Sequence, residues 1–246
     1  MLLDARNLSK AFGAFKAVDD ASISVEPGQV LGLIGPNGAG KSTFFNCLTG
    51  DLAPSSGSVH FEGRDVTRLT PDQRARIGMA RTFQVPLTFV SMSVLDNVMI
   101  GAFLRLPKTA DARAKAREVI DFVGLAQFAD APAHSLGTPG RKRLEIARAL
   151  ASNPKLLLLD EAMAGLNPAE IRTAIDLVRR IHRSGVTLII VEHIMEVIVS
   201  LSERVVVFHQ GQEIARGTPS QVTRDARVIE AYLGKRHAQR LGGDGA

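Results

Sequence analysis

Short unbroken apolar runs at residues 30–34, 156–159, 188–191 and 205–208 have the length of strands. They lack polar alternation, as expected where a parallel sheet is covered on both faces. Residues 2–7 and 21–25 alternate loosely instead, and the second segment ends in the turn signal Glu26-Pro27-Gly28. Ser56-Gly57 and Glu62-Gly63 bracket a further short strand at residues 58–61. Thr70, Pro71 and Gln73 form a capping pattern that starts a short helix. From residue 87 to 153 the period changes. Val94, Leu95, Val98 and Met99 keep helical spacing, as do Ala112, Ala116, Val119, Ile120 and Val123, and no strand is evident.

After this helical stretch the alternation of strand and helix resumes. The pattern predicts a strand at 155–160, a helix at 168–183 and a strand at 187–191. Ile171, Ala174, Ile175, Val178 and Ile181 share one face of the helix at 168–183. A helix at 192–201 follows, then a hairpin of 205–209 with 213–216 across Gln210-Gly211, and a last helical region from Thr218 to Gly234. Residues 235–246 are Gly-rich and mixed in charge, which predicts a disordered tail. The expected fold class is α/β: a mostly parallel sheet, an N-terminal antiparallel β subdomain and a helical subdomain at about 87–153 inserted into the α/β core. One domain would then occupy residues 1–234.

Composition narrows the function classes. With 246 residues, 45% hydrophobic and 22% charged, the chain can bury a large core, and a disordered polypeptide is excluded. One cysteine, Cys47, excludes an internal disulfide and reads as a small buried apolar group. No apolar run reaches the roughly 18–20 residues of a membrane span, and residues 1–10 carry no signal-peptide pattern. The net charge of +5 suits an anionic partner, but Trp is absent, Tyr232 is the one tyrosine, and no basic stretch is interleaved with aromatics. No nucleic acid is expected on that basis. His60, His134, His182, His209 and His237 lack metal-ligand spacing.

Chemistry concentrates at two places. Gly35-Pro36-Asn37-Gly38-Ala39-Gly40-Lys41-Ser42 matches G-x-x-x-x-G-K-S/T between an apolar strand and a helix. Glycines at such a loop let backbone amides wrap a phosphate, and the helix start adds partial positive charge. Lys41 is placed to reach the β- and γ-phosphates, and the Ser42 hydroxyl to bind Mg2+. Four leucines then run into Asp160-Glu161. Asp160 is placed to hold the hydration shell of Mg2+, and Glu161 to orient or deprotonate an attacking water. These residues imply a P-loop NTPase of the RecA-like type that binds a nucleoside triphosphate and Mg2+.

The order of Gly35 to Thr43, Gln84, Asp160-Glu161, Ala164-Gly165-Leu166-Asn167 and His193 resembles that of an ABC-type ATPase domain. The likeness covers nearly the whole chain, and residues 81–84, 93–97, 143–150, 164–170 and 228–234 are similar to the LivG-like ATP-binding subunits of branched-chain amino acid importers. The resemblance implies that Gly35, Asn37, Gly38, Ala39, Gly40, Lys41, Ser42 and Thr43 hold the phosphates of ATP. It implies that Gln84 senses the metal and γ-phosphate, that His193 is a switch at the γ-phosphate, and that Phe12 stacks on adenine, with Phe15 as the alternative. Glu161, His193, Gln84 and Lys41 are then the catalytic set, and Ser42, Gln84 and Asp160 the metal set.

The implied function is ATP hydrolysis coupled to amino acid uptake. The implied partners are a second ABC ATPase subunit (homo- or heterodimer), transmembrane permease subunits and, indirectly, a periplasmic or extracellular substrate-binding protein. The implied place is peripheral, at the cytoplasmic face of the cell membrane. The alternatives are a soluble ABC ATPase acting on nucleic acid or ribosomes, and a weakly hydrolysing regulatory partner.

The second alternative comes from one departure. Where the family reads L-S-G-G-Q, the chain reads Leu136-Gly137-Thr138-Pro139-Gly140, and Pro139 has no N–H to donate. Arg141, Lys142 and Arg143 follow at a helix start, either to hold an anion across a dimer interface or as a solvated basic face. Asn167-Pro168-Ala169-Glu170 reads as a capping box, so Asn167 has a helix-capping role, a partner-facing role, or both. Val85, Pro86, Leu87, Phe89, Val90 and Met92 follow Gln84 and form either a docking surface or part of the helical core.

Overall fold

The computed structural model describes residues 1–233, so Gly234 and the expected tail at 235–246 lie outside the described residues. In chain order the elements are β1 (Leu3–Phe12), β2 (Phe15–Val25), β3 (Val30–Ile34), α1 (Lys41–Thr49), β4 (Ser56–Phe61), β5 (Arg64–Asp65) and α2 (Pro71–Ile77). There follow β6 (Met79–Arg81), α3 (Val94–Ala102), α4 (Thr109–Phe122), α5 (Thr138–Ala151), β7 (Leu156–Asp160) and α6 (Pro168–Arg183). The chain closes with β8 (Thr187–Val191), α7 (Met195–Leu201), β9 (Arg204–His209), β10 (Gln212–Gly217), α8 (Pro219–Val222) and α9 (Ala226–Leu233). Two compact units divide between residues 71 and 72 and between 188 and 189, the second cut falling within β8.

The first unit contains an antiparallel sheet in the order β2-β1-β4-β5. Leu3 pairs with Val25 and Phe61, and Ala5 with Ile23 and Val59; all four partners and the two central residues are buried. Alternation thus turns one row of side chains inward from each strand. The strands are longer than expected because β1 continues past residue 7 through register shifts and β2 begins at Phe15. Polar residues such as Lys10, Lys16 and Asp20 interrupt the apolar alternation there, so pairing rather than pattern defines those ends. The same unit carries β10-β9-β3 and the last three residues of their neighbour β8. Leu33 and Ile34 of β3 run parallel to Val206 and Val207 of β9, and every residue of β3 is buried.

In the second unit β7 lies between β8 and β6. All of β7 is buried, as its leucine run predicts. The three-residue β6 pairs in parallel with it, Met79 to Leu156 and Arg81 to Leu158. So short a strand leaves no periodic trace in the sequence. Helices α3, α4 and α5 of this unit bury Val94, Leu95, Val98, Ala112, Ala116, Ile120, Leu144 and Ala147. Helix α6 starts at a capping box: the Asn167 side chain accepts from the amides of Ala169 and Glu170, and Glu170 Oε2 accepts from the Asn167 amide at 2.8 Å. The helix expected at 192–201 begins only at Met195. Glu192, His193 and Ile194 form an irregular connection after β8.

Candidate functional site

The predicted site residues fall in both compact units, and each group has its own construction. In the first unit the buried strand β3 delivers the chain into the loop at Gly35. Gly35 has φ 153° and Gly40 φ 96°, and a Cβ on either would collide with a backbone carbonyl, that of Phe208 or of Ala17. Only glycine fits there. The loop is tied down by the Ala39 amide on the Pro36 carbonyl at 3.2 Å and by the Gly211 amide on the Ala39 carbonyl at 2.9 Å.

Helix α1 then begins at Lys41 with no side chain capping its N-terminus and no acidic residue in its first turn. The first-turn amides and dipole of such a helix start favour an anion. The Lys41 side chain is buried, and its Nζ donates to the Gly35 carbonyl at 2.7 Å and the Pro36 carbonyl at 3.0 Å. Asn37, Gly38 and Ser42 are exposed, Thr43 is half-buried and Ala39 is buried. The ring of Phe44 packs on Phe208 with centroids 4.9 Å apart, and Cys47 is buried, so one side of α1 is core.

His193 is exposed in the irregular connection after β8. The amide of its neighbour Glu192 bonds to the Leu33 carbonyl at 3.4 Å, which starts the connection beside β3. Phe12 and Phe15 face each other across the β1–β2 hairpin and are 50% and 67% exposed, so neither ring belongs to the core. Lys10 Nζ lies 5.3 Å from the Phe12 ring centroid.

In the second unit Asp160 is the buried last residue of β7. Its Oδ2 meets the Arg81 guanidinium at 3.4 Å, and its amide donates to Thr82 Oγ1 at 3.2 Å. The next residue, Glu161, has φ 45°, a left-handed conformation that costs a residue with a Cβ free energy and must be held by its surroundings. Gln84 Nε2 donates to Glu161 Oε2 at 2.8 Å, and Lys142 Nζ donates to the Glu161 carbonyl at 3.2 Å. The structure therefore brings Gln84 and Glu161 together, although 77 residues separate them.

Helix α5 supplies more than Lys142. Glu145 Oε1 accepts from the amides of Phe83 at 3.1 Å and Leu87 at 3.5 Å, flanking Gln84 on both sides. Burial pushes the Glu145 carboxyl above its ordinary range, and these two amides pull it part of the way back. Arg148, whose pKa burial lowers, lies 5.6 Å from the Phe89 ring, and the buried Asn97 side chain clamps the Phe89 amide and carbonyl at 2.8 and 3.0 Å. Glu145 and Asn97 carry no motif that singles them out. Their signal is that each is a polar residue on the apolar face of a predicted helix.

The segment after Gln84 is not core. Val85, Leu87, Phe89 and Val90 are 72%, 55%, 49% and 53% exposed. At the altered loop, α5 starts at Thr138 with Pro139 in its first turn and no side-chain cap from Gly137. Arg141 turns back to the Leu136 carbonyl at 2.8 Å and the His134 carbonyl at 3.4 Å. Arg141, which is exposed, and Lys142, which is buried, thus each engage carbonyl oxygens of this chain.

A glycine-rich loop closing on a lysine, in a chain that also carries adjacent acids at the end of an all-buried strand, defines a P-loop nucleotide hydrolase. The particular family follows from comparison. The family model "ABC transporter" matches residues 18–164, and the model "Branched-chain amino acid ATP-binding cassette transporter" matches residues 212–238. The chain belongs to the ABC transporter ATP-binding family, and it is an ATP-binding, ATP-hydrolysing cassette.

The chain is 36% identical over 250 residues to the high-affinity branched-chain amino acid transport ATP-binding protein LivG of Escherichia coli (strain K12). The alignment covers 95% of this chain and 98% of that one. The BraF protein of Pseudomonas aeruginosa, described in the same terms, gives the same identity and coverage. Among solved structures, the ADP conformation of an ATP-binding cassette of an ABC transporter superposes with a TM-score of 0.86 at 34% identity, covering 95% of this chain and 99% of that one. These relatives do not favour the alternative of an ATPase working on nucleic acid or ribosomes.

Proposed function

We propose that this chain is the ATPase subunit of a membrane importer for branched-chain amino acids. The observation that carries the substrate class is the match of residues 212–238 to the branched-chain cassette model, in a chain whose similar relatives share that description. Gly35, Asn37, Gly38, Ala39, Gly40, Ser42 and Thr43 would cradle the phosphates, and Lys41 would exchange its two loop carbonyls for phosphate oxygens. Phe12, exposed at the tip of its hairpin, would offer its ring face to adenine.

The proposed metal donors, Ser42, Gln84 and Asp160, are hard oxygen donors of the kind Mg2+ takes together with substrate phosphates and water. Among the described residues no cluster of three or more His, Cys, Asp or Glu could hold a metal by itself, which suits an ion that arrives with its nucleotide. When bound, Mg2+ would neutralise charge on the transferring phosphoryl group. Glu161 would accept the proton of the attacking water. Gln84, which directs its amide nitrogen onto that carboxylate, would hold it until the sensor loop, residues 83–87, moves. His193, exposed beyond β8, would face the γ-phosphate as a switch.

The helical stretch at residues 87–153 would be the inserted subdomain, with residues 1–234 forming one ATPase domain. No described helix is long and apolar enough to cross a membrane. We place the chain at the cytoplasmic face of the membrane, docked on permease subunits and paired with a second ATPase subunit, with a substrate-binding protein acting from the other side. The exposed Val85, Leu87, Phe89 and Val90, rigidly backed by Asn97 and Glu145, would form the docking surface beside Gln84.

Uptake of labelled leucine, isoleucine and valine by cells carrying the chain with its neighbouring transport genes tests this reading. Uptake should vanish on deletion of this chain and return with the wild type but not with Glu161→Gln. Unchanged branched-chain uptake after deletion, with loss of a different solute, would remove the substrate assignment.

A further inference from the structure

Helix α5 buries Leu144, Ile146, Ala147 and Ala151, and within that stretch it also buries the carboxylate of Glu145. Taking a carboxylate out of water is costly unless hydrogen bonds meet it, so its bonds matter here more than its volume. Glu145 Oε1 accepts from the Phe83 amide at 3.1 Å and from the Leu87 amide at 3.5 Å. One oxygen thus draws together two amides four residues apart, with Gln84, Val85 and Pro86 spanning the gap. This span lies outside every helix and strand, and Pro86 has no N–H to donate. With no ladder of its own, the segment takes its fixed points from a side chain on the neighbouring helix.

The residue that Gln84 reaches is held from the same helix. Lys142 and Glu145 are three residues apart and share a face of α5. Lys142 Nζ donates to the Glu161 carbonyl at 3.2 Å, while Gln84 Nε2 donates to Glu161 Oε2 at 2.8 Å. One face of α5 therefore holds both ends of the Gln84–Glu161 contact, the donor's loop through Glu145 and the acceptor's main chain through Lys142.

We propose that Glu145 is a positioning residue for ATP hydrolysis: it fixes the main chain on both sides of Gln84, so that the Gln84 amide meets the Glu161 carboxylate. The proposal rests on the reading of Gln84 as sensor and Glu161 as base. A small misplacement of a positioned group costs up to about a hundredfold in rate. The loss falls on turnover, because the phosphate loop has contacts of its own.

Steady-state ATP hydrolysis with the partner subunits present, and Mg-ATP binding by equilibrium dialysis, are measured for Glu145→Met, Glu145→Gln, Gln84→Ala and the Gln84→Ala, Glu145→Met double variant. Glu145→Met keeps the length of the side chain without an oxygen. Its kcat should fall about ten- to a hundredfold, with affinity for Mg-ATP within about twofold of the wild type. Glu145→Gln retains an oxygen for the two amides and should recover most of that loss. Where Gln84 is already replaced, Glu145→Met should cost no further activity, because residues that act as a unit are not additive. Losses that multiply in the double variant, or that strike affinity and turnover alike, would mean a merely structural role and overturn the proposal. Hydrogen exchange of the Phe83 amide in the wild type, read by NMR, is independent of how the variants fold. It should be slowed relative to an unstructured amide, and exchange at the unstructured rate would equally overturn the proposal. Full activity in Gln84→Ala would instead remove the sensor reading on which it rests.

Discussion

The phosphate loop and the acidic pair are built by opposite means. Around Lys41 the side-chain contacts are local: its ammonium bonds to carbonyls five and six residues away, and the remote contacts to the loop, from Gly211, Phe208 and Ala17, are made by backbone alone. Around Glu161 they are remote. Gln84 reaches it across 77 residues, Arg81 meets Asp160 across 79, and Glu145 fixes the sensor loop across 62. A loop of local origin can be shaped before its nucleotide arrives, whereas a carboxylate held from afar changes whenever α5 or the sensor loop shifts. Affinity and turnover should therefore be separable by mutation.

The largest separation is expected from Glu161→Gln. Loss of the general base should lower turnover by about 100-fold or more, and steady-state ATP hydrolysis with the partner subunits present measures it. Next is Lys41→Ala, which removes the loop's own cation. Loss of one charge-assisted hydrogen-bonding partner of phosphate should weaken ATP binding by about ten- to a hundredfold, read by equilibrium dialysis. Lys142→Met keeps the length of the side chain but deletes the donor to the Glu161 carbonyl. We expect kcat to fall by about tenfold, the equivalent of one hydrogen bond, with KM for ATP unchanged. A rise in KM with kcat preserved would assign Lys142 to the loop's side of the comparison.

This contrast also explains what could be read from the chain alone. The loop from Gly35 to Thr43 and the acids Asp160 and Glu161 were legible because each is contiguous and flanked by a strand whose apolar run is unmistakable. The boundaries of α6 and β8 were legible for the same reason: an Asn-Pro-x-Glu cap begins one, and a five-residue buried run forms the other. The pairing partner β6 and the clamp from Glu145 were not, since each depends on a residue far away in sequence, and the Asn97 clamp on Phe89, eight residues away, leaves no periodic trace. The start of α7 at Met195 rather than Glu192 belongs with them, because the Glu192 amide is drawn to Leu33 of a neighbouring strand.

The smallest expected effect is a pH signature. The buried Glu145 carboxyl has a pKa raised above its unfolded value, so the folded state binds its proton more tightly. Its contribution favours folding below the ordinary carboxylate pKa and is lost as pH rises through the raised value. Glu145→Gln has no such proton. The stability of the wild type relative to this variant, measured by urea unfolding at a series of pH values, should increase as pH falls across that window. A difference independent of pH would mean that the carboxyl is not perturbed by burial.

The most direct test of the separation is an equilibrium titration of Glu161→Gln with Mg-ATP, alongside the wild type and Lys41→Ala. If the loop grips its nucleotide independently of the acidic pair, the Glu161 variant binds within about twofold of the wild type while Lys41→Ala does not. Loss of binding in Glu161→Gln comparable to that in Lys41→Ala would contradict it.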